Sequence, residues 1–223
     1  VIPEKYESQG FTWKGVEAFY RWRLQLPGDP SQQLDIQKEK GALESLLLEH
    51  PDITPLAHHS LSALFLKKAT SFPYPNAPLL EHAEEMIKNA ILIDPQNDEY
   101  HTLLSQIYYF RNKKNEAKAE AVIANAHNPQ NGMAWILYGL TIGSSLREGQ
   151  KFVLKGLRYY PFTQDPLLSE DEKLFFQDSL MPSIKPLLEL PKEEALYEQW
   201  MEKGKNHFEK KEWATAQSFF ENR

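Results

Sequence analysis

Apolar positions recur along this chain at intervals of three and four, the spacing that lines one face of an α-helix. Ala83, Ile87 and Ala90 form one such face, and Ala117, Ala121 and Ala124 form another. Small residues there let a neighbouring backbone approach closely. The prolines that follow, Pro95 and Pro129, are predicted to stop each helix. Both open the tripeptide Pro-Gln-Asn, so Asn97 and Asn131 are placed to cap the next helix, with Asp98 and Glu99 favourable in its first turn. Asn112, in "RNKKN", suits a left-handed turn between paired helices.

Less regular helices are predicted towards the ends. "GDPSQQLDIQKEK" opens one, with Asp29 as N-cap, Pro30 at the first helical position and Gln32 reaching back; it runs to about His50 and Pro51 ends it. "TPLAHHSLSALFLKKA" is a further helix, and the three prolines of "TSFPYPNAP" make an extended connection longer than an ordinary helix-pair turn. From Asp165 to Leu196 the pattern lapses. Ser169 and Glu172 are spaced there for a capping box, and Pro182, Pro186 and Pro191 divide the rest into short pieces. The reading is all-helical.

An offset of 34 residues superimposes Tyr74, Ala83, Ile87, Ala90 and Pro95 on Tyr108, Ala117, Ala121, Ala124 and Pro129. At these residues the chain resembles the tetratricopeptide repeat, a helix pair of that period. Counted from Asp98, the family's small and apolar positions fall on Leu104, Ser105, Tyr108, Ala117, Ala121, Ala124 and Pro129. Trp135 and Gly139 occupy the Trp and Gly positions of the next unit, whose second helix comes two residues early with Gly149, Val153, Gly156 and Pro161. A last unit begins with Trp200, Gly204, His207, Trp213, Ala216 and Phe220 and stops at Arg223.

The resemblance implies an all-α, right-handed solenoid of antiparallel helix pairs, irregular at both ends. It divides the chain into irregular N-terminal helices (1–63), a repeat array (64–166), a non-repeat helical connection (167–196) and an incomplete final repeat (197–223). In the family the first helix of each pair lines a concave groove. Carried onto this chain, the groove consists of Phe65, Lys68 and Phe72, then Glu99, Thr102, Gln106 and Tyr109, then Met133, Ile136 and Leu140. That mixture suits an extended peptide or a helix face; the alternative for Phe65, Ile136 and Leu140 is ordinary packing against neighbouring helices. Repeats that clamp a chaperone's C-terminal carboxylate pair Lys with Asn, but Lys68 here is followed by Phe72 where Asn belongs, and Leu103, Met133 and Ile136 fill the matching places.

From Val16 to Pro166, the order of unpaired helix, proline-rich connection and repeats is similar to a second arrangement. It is the tetratricopeptide region that accompanies a winged-helix or nucleotide-cyclase output domain in bacterial signalling proteins, including the CadC-type membrane-bound regulators. This implies a sensory or regulatory domain as the alternative to a protein-binding scaffold.

Composition narrows the chemistry. The net charge of −6, with acidic and basic residues interleaved, argues against direct nucleic-acid contact. The absence of cysteine removes disulfides, thiol catalysis and cysteine-based metal sites, and suits cytoplasm and periplasm equally. No apolar run spans a bilayer; a span preceding the chain would make it periplasmic. The start at Val1 and the unfinished last unit predict a piece of a longer protein. The same unfinished unit would leave Trp213 and Phe220 uncovered and makes a homodimer through that end a candidate.

Neighbouring His58 and His59 point about 100° apart on a helix, whereas two ligands of one ion need a spacing of three or four. "GSSLR" lacks the closing glycine and preceding strand of a nucleophile elbow. The carboxylates of "SEDE" belong to a helix start, and no phosphate-binding glycine loop occurs. A non-catalytic module is expected, with no cofactor, no metal and a protein or peptide segment as partner.

Overall fold

The computed structural model describes residues 11–25, 35–71, 75–142, 146–159 and 182–188. Among them the protein is all-helical. The helices are α1 (Trp13–Gln25), α2 (Ile36–Glu49), α3 (Thr54–Thr70), α4 (Ala77–Ile93), α5 (Asp98–Phe110), α6 (Lys114–His127), α7 (Gly132–Thr141), α8 (Leu146–Arg158) and α9 (182–188), with one 3-10 turn, Pro51–Ile53, before α3.

The predicted punctuation governs the helix ends. Asn97 Oδ1 accepts from the Glu99 N–H (3.1 Å) and Asn131 Oδ1 from the Ala134 N–H (2.9 Å), so both asparagines cap helices after a proline stop. Asn112 has φ 57°, the left-handed turn between α5 and α6. Asn76 caps α4 in the same manner. Helix α2 stops before Pro51 as expected, but it starts at Ile36 and not at Pro30: Asp35 is extended (φ −89°, ψ 97°) and caps it by accepting from the Lys38 N–H at 3.1 Å. The cap expected at Asp29 lies outside the described residues, as do the Ser169–Glu172 capping box and the final repeat from Trp200 onward.

Helices pack as three pairs, α3 with α4, α5 with α6 and α7 with α8; successive pairs meet through α4 on α5 and α6 on α7, and first helix touches first helix, α3 on α5 and α5 on α7. One contact recurs at the crossing of each pair. The Ser62 hydroxyl donates to the Ala83 carbonyl at 2.7 Å, and the Ser105 hydroxyl donates to the Ala117 carbonyl at 2.7 Å. In the third pair Gly139 lies so close to α8 that a Cβ would stand 2.6 Å from the Gly149 carbonyl oxygen. Two backbones approach at the smallest side chain available, and where that side chain is serine its hydroxyl fills the gap.

This crossing sets the register of every pair. Ser105 and Gly139 are 34 residues apart, and Gly149 confirms that the third pair's second helix comes two residues early. The first pair departs from the period. Its crossing residues are Ser62 and Ala83, so the second helix follows the 34-residue interval to Ala117 while the first stands 43 residues before Ser105. The nine extra residues divide evenly. Helix α3 runs eight residues past Ser62 where α5 runs five past Ser105, α4 starts six before Ala83 where α6 starts three before Ala117, and the connection is six residues instead of three.

The core follows these pairs. One buried cluster runs from Phe11, Phe19 and Trp22 through α3, α4 and α5 to Ala117; a second joins Ala121, Ile136, Leu137 and Val153 to Ile184 and Leu187 of α9. Tyr109 and Phe110 pack against both. Helix α6 buries only Ala117, Ala121, Ala124 and Asn125, so it is held by close backbone approach and dispersion, not by large side chains. Before the pairs, Asp52 locks the start of α1: its Oδ2 accepts from the Thr12 N–H (2.7 Å) and hydroxyl (2.8 Å).

Candidate functional site

Helix α5 lies between α3 and α7, and its residues Glu99, Thr102, Gln106 and Tyr109 follow a single helical face. Met133, Ile136 and Leu140 run along α7 in the same register, 34 residues from Glu99, Thr102 and Gln106. Register of the crossing places Leu56, His59 and Ala63 at the corresponding points of α3. Phe65 instead corresponds to Tyr108 and Lys68 sits in the last turn of the extended helix; Phe72 lies outside the described residues. The nine-residue lengthening of the first pair is the reason for this shift.

Burial separates these residues. Phe65, at 0% exposure, and Ile136, at 2%, are core side chains. Lys68 and Thr102 are buried as well. Glu99, Tyr109, Met133, Leu140 and His59 are half-buried and form the part of the face that solvent reaches. Gln106 is 1% exposed, and its amide nitrogen Nε2 has no hydrogen-bond acceptor within the protein. A buried donor without an acceptor costs about 1–3 kcal/mol.

Thr102 is committed to holding α7 against α5. Its hydroxyl donates to the Asp98 carbonyl (2.7 Å) and accepts from Asn131 Nδ2 (2.9 Å). Asn131 Nδ2 also donates to Asp98 Oδ2 (2.6 Å), which accepts from Asn128 Nδ2 (3.0 Å) as well. A cap residue thus ties two first helices together, a use of Asn131 that the cap pattern alone does not reveal. The His59 ring lies against Tyr100 with centroids 5.2 Å apart. Burial, with the Asp94 and Glu99 carboxylates adding to it, pushes the Tyr100 hydroxyl far above its ordinary range, so it stays neutral.

A separate ionic cluster joins α4 to the α5–α6 turn. Glu84 pairs with Lys88 and Arg111, with Lys113 at 3.8 Å, and accepts from the Tyr108 hydroxyl at 3.3 Å. Burial raises its pKa, but the Lys88 hydrogen bond and the charges of Lys88, Arg111 and Lys113 outweigh that and hold it below the usual carboxylate range. Its role is to fasten the turn.

Among the described residues no group of three or more His, Cys, Asp and Glu is arranged to hold a metal ion, and no helix is long and apolar enough to cross a membrane. His58 is half-buried, and its Nδ1 is without a hydrogen-bond partner. Residues 143–145 of "GSSLR" are outside the described part. No family model matches the chain, and no curated protein matches it.

Proposed function

We propose that this chain is a tetratricopeptide-like binding module without catalytic activity, which holds a protein segment along the face of its first helices. The recurring crossing of Ser62, Ser105 and Gly139 with the carbonyls of their paired helices carries the reading, because it sets three first helices side by side in equivalent registers. The solvent-reached residues of that face, Glu99, Tyr109, Met133 and Leu140, combine one carboxylate, one phenol and two apolar side chains. Such a surface reads an extended segment by a few anchors and not by a single charged clamp.

The test uses short peptides selected from a random displayed library on the intact chain. Their binding is then measured by fluorescence anisotropy to the parent and to a Glu99→Ala, Tyr109→Ala double variant of unchanged helicity. Loss of two anchors at about 1–2 kcal/mol each predicts binding weaker by at least about thirtyfold. Equal binding to parent and variant would place the ligand elsewhere.

The regulatory alternative, a sensory domain serving an output domain in one chain, rests on the sequence resemblance; the helix before the proline-rich connection, α3, is not unpaired as that resemblance implies but packs against α4 across it. Reading the gene upstream of Val1 separates the two: a winged-helix or cyclase domain there favours the sensor.

A further inference from the structure

His58, His101 and Trp135 each stand four residues before the crossing residue of their pair. In the third pair, Trp135 Nε1 donates to the Pro129 carbonyl at 2.9 Å. In the second, His101 Nε2 stands 2.9 Å from the carbonyl of Pro95, the proline 34 residues earlier than Pro129. An indole nitrogen can only donate and a carbonyl can only accept, so the matching contact requires a proton on His101 Nε2. The other ring nitrogen, Nδ1, is 2.7 Å from Glu120 Oε2, and a carboxylate also accepts only. Both partners together call for the doubly protonated, cationic ring, although it is only 6% exposed.

Several titratable groups face the ring. Helix α6 presents Glu120 and His127, whose ring stacks on His101 with centroids 5.9 Å apart. The end of α4 presents Asp94 beside Pro95. On α5 itself Asp98 is engaged by Asn128 and Asn131. Helix α7 has no acidic residue in its first turn, and on α3 the His59 ring lies on Tyr100. Burial works against the charge, but the Glu120 hydrogen bond, the Pro95 carbonyl and the charges of Glu120 and Asp94 outweigh it and raise the pKa above the ordinary histidine value.

We infer that His101 is a proton-operated clasp that joins the end of the first helix pair, through Pro95, to the second helix of the next pair, through Glu120. With both protons it holds both acceptors. After one proton leaves, the ring can donate to only one, and its bare lone pair faces the other acceptor. Either the α4–α5 joint or the α5–α6 contact then loosens. Because the folded value lies above the unfolded one, the clasp is complete below the unfolded pKa and is lost as pH rises through the raised value. The device is independent of what the module binds.

The experiment is a titration of the intact chain from about pH 5.5 to about pH 9, following the His101 ring nitrogens by long-range ¹H–¹⁵N NMR and the amides of residues 94–105 by hydrogen exchange corrected for intrinsic rates. Both ring nitrogens are expected to carry protons at the acid end of the titration, and exchange is expected to rise together with His101 deprotonation. Above the raised pKa, each further pH unit lowers the clasped fraction about tenfold. Glu120→Gln should move the titration down, and His101→Trp, which copies the single donation of Trp135, should abolish the pH-linked exchange. If His101→Trp fails to fold, Glu120→Gln decides alone. A ring that titrates no higher than an ordinary histidine, or pH-linked exchange unchanged in Glu120→Gln, would overturn the clasp.

Discussion

Gly139→Ala tests the crossing on which the pair architecture rests. A Cβ at residue 139 would stand 2.6 Å from the Gly149 carbonyl oxygen, 2.9 Å from Val153 Cγ2 and 3.0 Å from the Val153 nitrogen. A carbon and a carbonyl oxygen ordinarily approach no closer than about 3.3 Å, so α7 and α8 would have to part by roughly 0.7 Å. Two of the three atoms are backbone and cannot swing aside. Overpacking of this kind costs about 1–3 kcal/mol. Alanine also gains about 0.5–1 kcal/mol over glycine in a helix interior, which blurs the sign of the single substitution.

Gly41→Ala removes the ambiguity. Gly41 lies inside α2, is exposed and has nothing within 4 Å of its Cβ position, so it receives the helix gain and no clash. The difference between the two variants therefore isolates the crossing. Gly139→Ala is expected to be about 1–3 kcal/mol less stable than Gly41→Ala in urea unfolding. At about 2–4 °C per kcal/mol for a chain of this size, the melting temperatures should separate visibly. If the two agree to within about 0.5 kcal/mol, the close approach of α7 and α8 at Gly139 is refuted.

Two further expectations follow from other contacts. Asn131→Ala removes the α7 cap and the links to Asp98 and Thr102, and should cost about 1–2 kcal/mol in the same unfolding assay; a loss no larger than that of an exposed surface residue would show that the α5–α7 link is idle. His58 opposes His101. Burial lowers its pKa against the pull of Glu85, so its contribution is present above the unfolded value and lost as pH falls through the lowered one. His58→Phe should therefore flatten the acid side of the stability–pH profile while leaving the alkaline side, and an unchanged acid side would assign that limb to other groups.

Helices, stops and caps were legible in the sequence because each depends on near neighbours. Spacing of three and four marks the buried faces of α4 and α6; Pro95 and Pro129 end these helices, and Asn97 and Asn131 satisfy the N–H groups at the next starts. Asn112 was readable in the same way, since few other residues tolerate φ 57°. The face of α5 could also be drawn, because a single helix fixes which residues share a side.

Register between helices was legible where the 34-residue period holds, from Ser105 to Gly139, but not in the first pair, where it is not local. Several small residues on α3 and in the connection after it satisfy the need for close approach, among them Ser60, Ser62 and Ser71, and the 34-residue period selects Ser71. Only the packed pair decides for Ser62, because the Ala83 carbonyl accepts its hydroxyl there. The solvent-reached part of the candidate face depends on the same assembly: Gln106 and Tyr109 share one side of α5, yet only the neighbouring helices make the first 1% exposed and the second half-buried. Local sequence determined which segments are helical and where each begins and ends. Tertiary packing decided which small residue meets which carbonyl, and whether a polar side chain faces solvent, a partner helix or a buried proton.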